Sequence, residues 1–469
     1  MKITKFLFTA VAVLSLGAGS ILAQNLTPGS AVPASYYATN TPAGTSDSYL
    51  EYRMDMLEEA LKKKVDKVDT TKAFEVKLSG RLFLESVTFA DPHVKYGDFA
   101  GQENALGARE VFVGMTGTGY RIFDYSVELG FAGNHSAFRD AFIGIKNVPG
   151  LDYFRIGYYR VETGVGMVTS PLNTTAIDTP TASQAFTLGR RFGVGQTYYF
   201  ANEQVRWFNG IFESTGVSAG PKIISDPQGM IYNSRLTFVP YYAQDGKRFL
   251  HFGGHYMYRE RPKGGDDFTA PGARIGGFSS ANAWFATTAL NASSYNQGGL
   301  EVMWGCGPLA ITSEFFAGSF GEGRDMYGGY VEARYFLTGD VRLYNKRSGT
   351  PGGVRLKQNF LCVEEFIQTC HGKAKGFGIQ SIGAWEVYTQ WGFTDSDRVA
   401  RAAPRVIDGV VDASHSGGRT TDLVFGLNWY LNPTTRMMFE YVRSEGAKQG
   451  TGGYRATEDI FATSFRINF

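Results

Sequence analysis

From Phe461 to Phe469 apolar and polar positions alternate. Phe461, Thr463, Phe465, Ile467 and Phe469 fall on one side, and Ala462, Ser464, Arg466 and Asn468 on the other. A period of two is the signature of a strand whose two faces meet different surroundings. A soluble sheet would bury the apolar face against a second layer. A membrane barrel would turn that face to lipid and leave Arg466 and Asn468 in a wet lumen.

The same pattern recurs upstream. From Phe74, the residues Phe74, Val76, Leu78, Leu82 and Leu84 alternate with Glu75, Lys77, Ser79, Arg81 and Glu85. Further strands are predicted at 108–118, 121–132, 138–147, 152–160, 193–201, 204–214, 230–240, 249–259, 295–305, 309–320, 326–337, 381–393, 421–431, 435–445 and 457–469. With the first, this makes 16, an even number, as a single-chain bacterial barrel requires. If the first strand starts in the periplasm, the short links (119–120, 148–151, 202–203, 241–248, 305–308, 432–434) fall there. The long links (91–107, 161–192, 215–229, 260–294, 394–420) then fall outside. Short turns below and long loops above is the rule for such barrels. The exception is the long link 338–380. The predicted fold is an all-β, 16-stranded antiparallel transmembrane β-barrel over residues 71–469.

The amino-terminal part has a different character. Residues 1–23 read as a secretory signal: Lys2 and Lys5, an apolar run from Phe6 to Leu16, and a small residue, Ala23, before Gln24. That run is too short to span a bilayer. Residues 24–47 are rich in Pro, Ser, Thr, Ala and Gly and read as a flexible linker. Residues 48–70 hold a helical stretch in which Leu50, Met54, Leu57, Leu61 and Val68 form an apolar stripe. Two readings stay open for it: a helix packed on the barrel rim, or a short coiled coil that joins identical subunits.

Composition sharpens the barrel reading. The chain has 59 Gly, 36 Phe and 26 Tyr, which suits tight turns and interfacial aromatic girdles. A formal net charge of +2 gives no whole-molecule field of the kind nucleic acid requires. Of the three cysteines, Cys362 and Cys370 lie eight apart in one link, a spacing that points to a disulfide in an oxidising compartment. Nothing indicates an enzyme, a metal or another cofactor. His251 and His255 share a strand face but would stand about 13 Å apart, too far to share a metal. No Ser-His-Asp arrangement is apparent.

Several motifs are similar to those of one family. They are Phe138-Arg139-Asp140-Ala141-Phe142-Ile143-Gly144, Phe154-Arg155-Ile156-Gly157, Leu188-Gly189-Arg190-Arg191-Phe192-Gly193-Val194, and Tyr335-Phe336-Leu337-Thr338-Gly339-Asp340 followed by Tyr344-Asn345-Lys346 and Ser348-Gly349. Gly383-Ala384-Trp385-Glu386 and Gly426-Leu427-Asn428-Trp429-Tyr430-Leu431-Asn432-Pro433 complete the set. Over residues 74–469 the chain resembles the phosphate-selective porin O and P family. An aromatic residue closing the last strand also resembles the sorting signal of bacterial outer-membrane barrels. The resemblance implies an outer-membrane porin, a homotrimer among lipid and lipopolysaccharide, that passes ions and small hydrophilic solutes with a modest preference for anions. The alternative is a structural protein that links the membrane to the cell wall or forms a dense array. The chain departs from the family pattern at Val161-Glu162, at Ile177-Asp178-Thr179-Pro180 and around Arg274, where one arginine replaces a denser cluster. The resemblance therefore carries the fold, and not phosphate selectivity.

The resemblance also places an inward-folded loop at 161–192. Its charges, Arg160, Glu162, Asp178, Arg190 and Arg191, are the candidate constriction residues, with Arg81, Asp140, Lys146 and Arg155 on the pore wall. Adjacent residues on an extended backbone point to opposite sides. One of Arg190 and Arg191 is thus expected to bind a wall carboxylate while the other faces the lumen; equally, both anchor the loop base.

Overall fold

The structure is a computed structural model. It describes residues 74–90, 103–132, 137–148, 150–214, 229–261, 273–274, 278, 283–285, 292–321, 325–360, 381–396, 406–407, 410–411, 418–448 and 455–469. The expected signal, linker and helix (1–70) and the expected Cys362–Cys370 pair lie outside these residues.

In chain order the strands are β1 (Phe74–Phe89), β2 (Ala105–Gly119), β3 (Phe123–Gly130), β4 (Ala137–Val148), β5 (Leu151–Arg160), β6 (Arg190–Phe200), β7 (Val205–Glu213), β8 (Met230–Ala243), β9 (Arg248–Glu260), β10 (Ala273–Arg274) and β11 (Ala283–Phe285). They continue with β12 (Ser294–Cys306), β13 (Leu309–Ser319), β14 (Asp325–Phe336), β15 (Val341–Asn345), β16 (Thr350–Arg355), β17 (Ala384–Asp395), β18 (Val406–Ile407), β19 (Val410–Val411), β20 (Gly418–Asn432), β21 (Thr435–Lys448) and β22 (Arg455–Asn468). Sixteen of these, β1–β9, β12–β14, β17 and β20–β22, form one closed barrel with each strand beside its sequence neighbour. Two short helices, α1 (Val165–Val168) and α2 (Thr181–Ala185), lie between β5 and β6.

Alternation explains why these segments are strands and which way they face. On β22, Ile460, Ala462, Ser464 and Arg466 are buried, while Phe461 and Thr463 between them are exposed. Across the barrel the exposed side chains are apolar: Leu84, Val113, Phe192, Trp207, Leu236, Phe252, Leu300, Phe315, Trp391, Phe425 and Phe439 among them. A sheet with an apolar outside and charged residues inside is stable only where the outside meets lipid.

The seam joins first strand to last, with register running from Arg81 opposite Asn468 to Phe89 opposite Ile460. Beyond it the Gly80 amide donates to the Phe469 carbonyl at 2.8 Å and the Phe469 amide donates back at 3.0 Å. Gly80 is required there, because a Cβ would sit within 2.1 Å of the Phe469 ring.

The interior differs from a simple water-filled tube. The 161–189 segment lies inside the barrel, and its Ile177, Ala182, Ala185 and Phe186 share an apolar cluster with wall residues Val87, Phe89, Phe316, Met326, Val424, Val442 and Ile460. Phe186 stacks on Phe316 at 5.3 Å between centroids. Burial of Ile177 and Phe186 contributes about 1.5–3 kcal/mol each, so the loop is seated by packing as well as by hydrogen bonds. The long link after β14 supplies a second insert. β15 and β16 form a hairpin whose Tyr344 packs with Val165, Val239, Phe249 and Met303. Sequence alternation did not reveal this hairpin.

Candidate functional site

The inserted loop crosses the lumen, and wall side chains answer many of its polar backbone groups. Glu314 on β13 accepts the Val165 and Gly166 amides at 2.6 and 2.8 Å, the Ser183 hydroxyl at 3.3 Å and the Tyr330 hydroxyl at 2.8 Å. Glu440 on β21 accepts the Ile177 amide at 2.9 Å and the Tyr388 hydroxyl. Loop carbonyls take wall donors in turn. Arg436 donates to Pro171 and Thr174 at 3.0 and 2.7 Å, Arg466 to Pro171 and Ile177 at 3.3 and 2.5 Å, and Asn428 to Thr175 at 2.9 Å. Arg342, on the inserted hairpin, donates to the Asn173 carbonyl and pairs with Glu386 at 3.0 Å. Burial would lower its basicity, but Glu386 and Tyr430 raise it further. Buried polar groups are stable only when paired, and this loop meets that demand at many points.

The sequence-derived constriction residues divide into two groups. The Arg160 guanidinium donates to the Met167 and Thr169 carbonyls, and Asp178 binds Arg109 of β2 at 2.7 Å. Arg190 binds Asp140 at 2.7 Å. Arg139 and Arg160 each lie within electrostatic reach of Arg190, Arg81 and Glu110. Arg81, Arg139, Arg160 and Arg190 with Asp140 thus belong to one cluster on the β1–β6 side. The other group lies apart. Glu162 is held by Arg206 in a two-pronged pair, both contacts at 2.7 Å, with Arg235 at 3.7 Å. Burial pushes the Glu162 carboxyl up, but Arg206 and Arg235 outweigh it and hold it below its ordinary value. Arg191 donates to the Leu188 and Arg190 carbonyls at 2.7 Å.

The pore-wall candidates also sit on the β1–β6 side. Arg81 pairs with Glu110 at 3.0 Å and approaches Glu128 at 3.6 Å; Lys146 pairs with Asp124 at 2.5 Å. Arg155 is caged by aromatic rings, 4.9 Å from Phe142, 5.4 Å from Tyr153 and 4.4 Å from Tyr159. Arg139 lies 4.9 Å and Arg81 4.0 Å from the Phe112 ring. Accessibility separates the two walls. The Lys146 and Asp124 side chains are 29% and 28% exposed and Glu128 is 22%, whereas Arg235, Glu301, Arg342 and Glu386 are at most 1%. The most exposed of these inward charges therefore lie on β3 and β4, and those around the hairpin are closed off.

Sequence reasoning had not marked Arg109, Arg139, Arg206 or Arg235 as site residues. Their strand positions signal an inward charge, but their partners come from strands and loops far away in sequence. His251 and His255 make separate contacts, His251 with Tyr344 at 2.6 Å and Glu301 at 3.2 Å, and His255 with Gln297 at 3.0 Å. Cys306 is exposed and has no disulfide partner among the described residues.

Comparisons with known proteins agree with this architecture. The sequence pattern of the family described as phosphate-selective porin O and P matches residues 76–469. Porin O of Pseudomonas aeruginosa is 24% identical over 429 residues, which is 85% of this chain and 90% of that protein. Among solved structures, OprB of Pseudomonas putida, in a high-pH structure, is similar with a TM-score of 0.50 at 9% identity, covering 85% of this chain and 95% of its own. OmpF of Salmonella typhi, in a complex with daunomycin, is similar with a TM-score of 0.50 at 10% identity, covering 85% and 99%. At such identities these two structures speak to the fold alone.

Proposed function

The chain belongs to the phosphate-selective porin O and P family and is an outer-membrane porin, a channel and not an enzyme, and we propose that its constriction lies between the 161–189 loop and the β1–β6 wall and favours small anions modestly. The observation that carries the anion bias is the way three guanidiniums there are held. Arg139 rests on the Phe112 ring, Arg155 in its cage of three rings, and Arg160 on two carbonyls. Among the described residues none of the three forms an ion pair with a carboxylate. Aromatic faces and carbonyls hold a guanidinium without cancelling its charge. Other cations on this wall do meet carboxylates: Arg81 meets Glu110 and Glu128, Arg109 meets Asp178 and Glu85, Lys146 meets Asp124 and Arg190 meets Asp140.

A few uncancelled cations in a wet neck are screened over about 8 Å at physiological salt. The preference is therefore severalfold and weakens as salt rises, unlike that of a continuous ladder of phosphate-binding groups. Short turns placed in the periplasm and long loops outside give the orientation. A homotrimer is the assembly proposed, supported by the stripe Leu50, Met54, Leu57, Leu61 and Val68 in the sequence.

Planar-bilayer recordings in a salt gradient test the reading. The wild-type reversal potential should indicate anions. Replacing Arg139, Arg155 and Arg160 by Gln should move it toward cations, and a potential that stays put in a conducting triple variant refutes the assignment.

A further inference from the structure

The two inserts in the lumen come from opposite ends of the barrel, one from the β5–β6 link and one from the β14–β17 link. They touch directly, where Arg342 donates to the Asn173 carbonyl and Tyr344 packs with Val165, and they are bridged at two arginines on neighbouring wall strands. Arg206 of β7 grips both oxygens of Glu162, at the root of the loop, and its Nε donates to the Arg347 carbonyl at the hairpin tip at 2.9 Å. Arg235 of β8 donates to the Ser348 and Gly349 carbonyls at 3.2 and 2.9 Å and binds Glu301 at 2.7 Å. It also stands 3.7 Å from Glu162. The Arg206, Arg235, Glu162 and Glu301 side chains are at most 8% exposed.

We propose that Arg206 and Arg235 are positioning residues that lock the hairpin to the constriction loop, so that the bore is set by both inserts together and loosening one loosens the other. The chemistry favours this reading over two independent anchors. A guanidinium offers five donors in one rigid plane. Arg206 divides that single plane between a loop carboxylate and a hairpin carbonyl, so displacing either partner disturbs the geometry of the other. Arg235 completes the joint by fixing the next two hairpin carbonyls beside the same carboxylate. Once a buried pair of this kind loses a member, the remaining charge is left uncompensated, which drives the loop root to rearrange. Both arginines are buried, so neither touches a passing solute. The proposal rests on the lumen being the conducting path.

Arg206→Lys keeps the charge but cannot reach all three acceptors, and Glu162→Gln is a second variant of unchanged size. Single-channel recording and hydrogen exchange on the purified full chain give two independent readouts. Either variant should raise conductance and open-channel noise several-fold, and should speed exchange in both 161–170 and 341–355. A cysteine pair at Thr237 and Gly349 supplies the rescue. A Cβ on Gly349 would approach the Thr237 side chain at 3.2 Å, so the oxidised pair pins the hairpin to the wall. In the Arg206→Lys background the oxidised tether should return both conductance and loop exchange toward wild type, and reduction should undo this.

Faster exchange confined to the hairpin, or a tether that protects the hairpin while the loop stays loose, overturns the coupling. Exchange decides the coupling even if the wild-type barrel is silent in bilayers, a result that would overturn the pore reading separately.

Discussion

At the scale of single residues, the charged side chains of the inner face do two different things. Some hold the loop, as Glu314 does with three loop donors and Arg436 and Arg466 do with loop carbonyls. Others line open water, as Lys146 and Asp124 do. Sequence cannot separate these roles, because both appear as a polar residue at an inward position of an alternating strand. The loop's own charges were legible, since Arg160, Glu162, Asp178 and Arg190 stand out in a run of Gly, Pro, Ser and Thr. Their partners were not, because pairing Glu162 with Arg206 requires the barrel to be closed first. Glu162 also gives a pH prediction. Its carboxyl is held below its ordinary value by Arg206 and Arg235 despite burial. Its contribution is therefore fully present above the unfolded value of about 4.3 and is lost as pH falls through the lower folded value. The difference in open-channel noise between wild type and Glu162→Gln should persist from neutral pH down to about 5 and shrink only below about 4. A difference that vanishes already near neutrality would refute this role for Glu162.

At the scale of elements, every barrel strand was visible as a period-2 run, because one face had to suit lipid whatever the other face did. The hairpin β15–β16 was hidden for the opposite reason. Its strands span only Val341–Asn345 and Thr350–Arg355 and do not meet lipid, so no lipid-facing apolar row marks them. Glycine usage makes sense at this scale too, as seats for rings on the adjoining strand. A Cβ on Gly426 would lie 2.0 Å from the Tyr388 ring, and Tyr388 in turn donates to Glu440, which accepts the Ile177 amide. Gly426→Val should therefore push Tyr388 out of place and release the loop at Ile177. Overpacking of this kind costs about 1–3 kcal/mol, and should appear as a lowered melting temperature together with faster exchange of the Ile177 amide. A variant as stable as wild type, with Ile177 still protected, would show that the ring has room to move.

At the scale of the whole molecule, the orientation proposed from parity and link length is open to a direct test. Residues near Asp98, Asp267 and Ser414, outside the described residues, should react with an impermeant label on intact cells. Those near Gln244 and Lys373 should not; the reverse pattern would invert the barrel. The seam also governs when the barrel can close. β1 and β22 are partners separated by nearly the whole barrel sequence, from Arg81 opposite Asn468 to Phe89 opposite Ile460. Contacts so distant along a chain form slowly. Until they form, the outer edges of β1 and of the growing sheet present rows of unpaired amides and carbonyls that any stray strand can join. The sheet cannot be stable in halves within a lipid core that offers those groups no water. The unfinished barrel therefore depends on something that shields its two open edges, or pairs with them temporarily, until β22 comes round to meet β1.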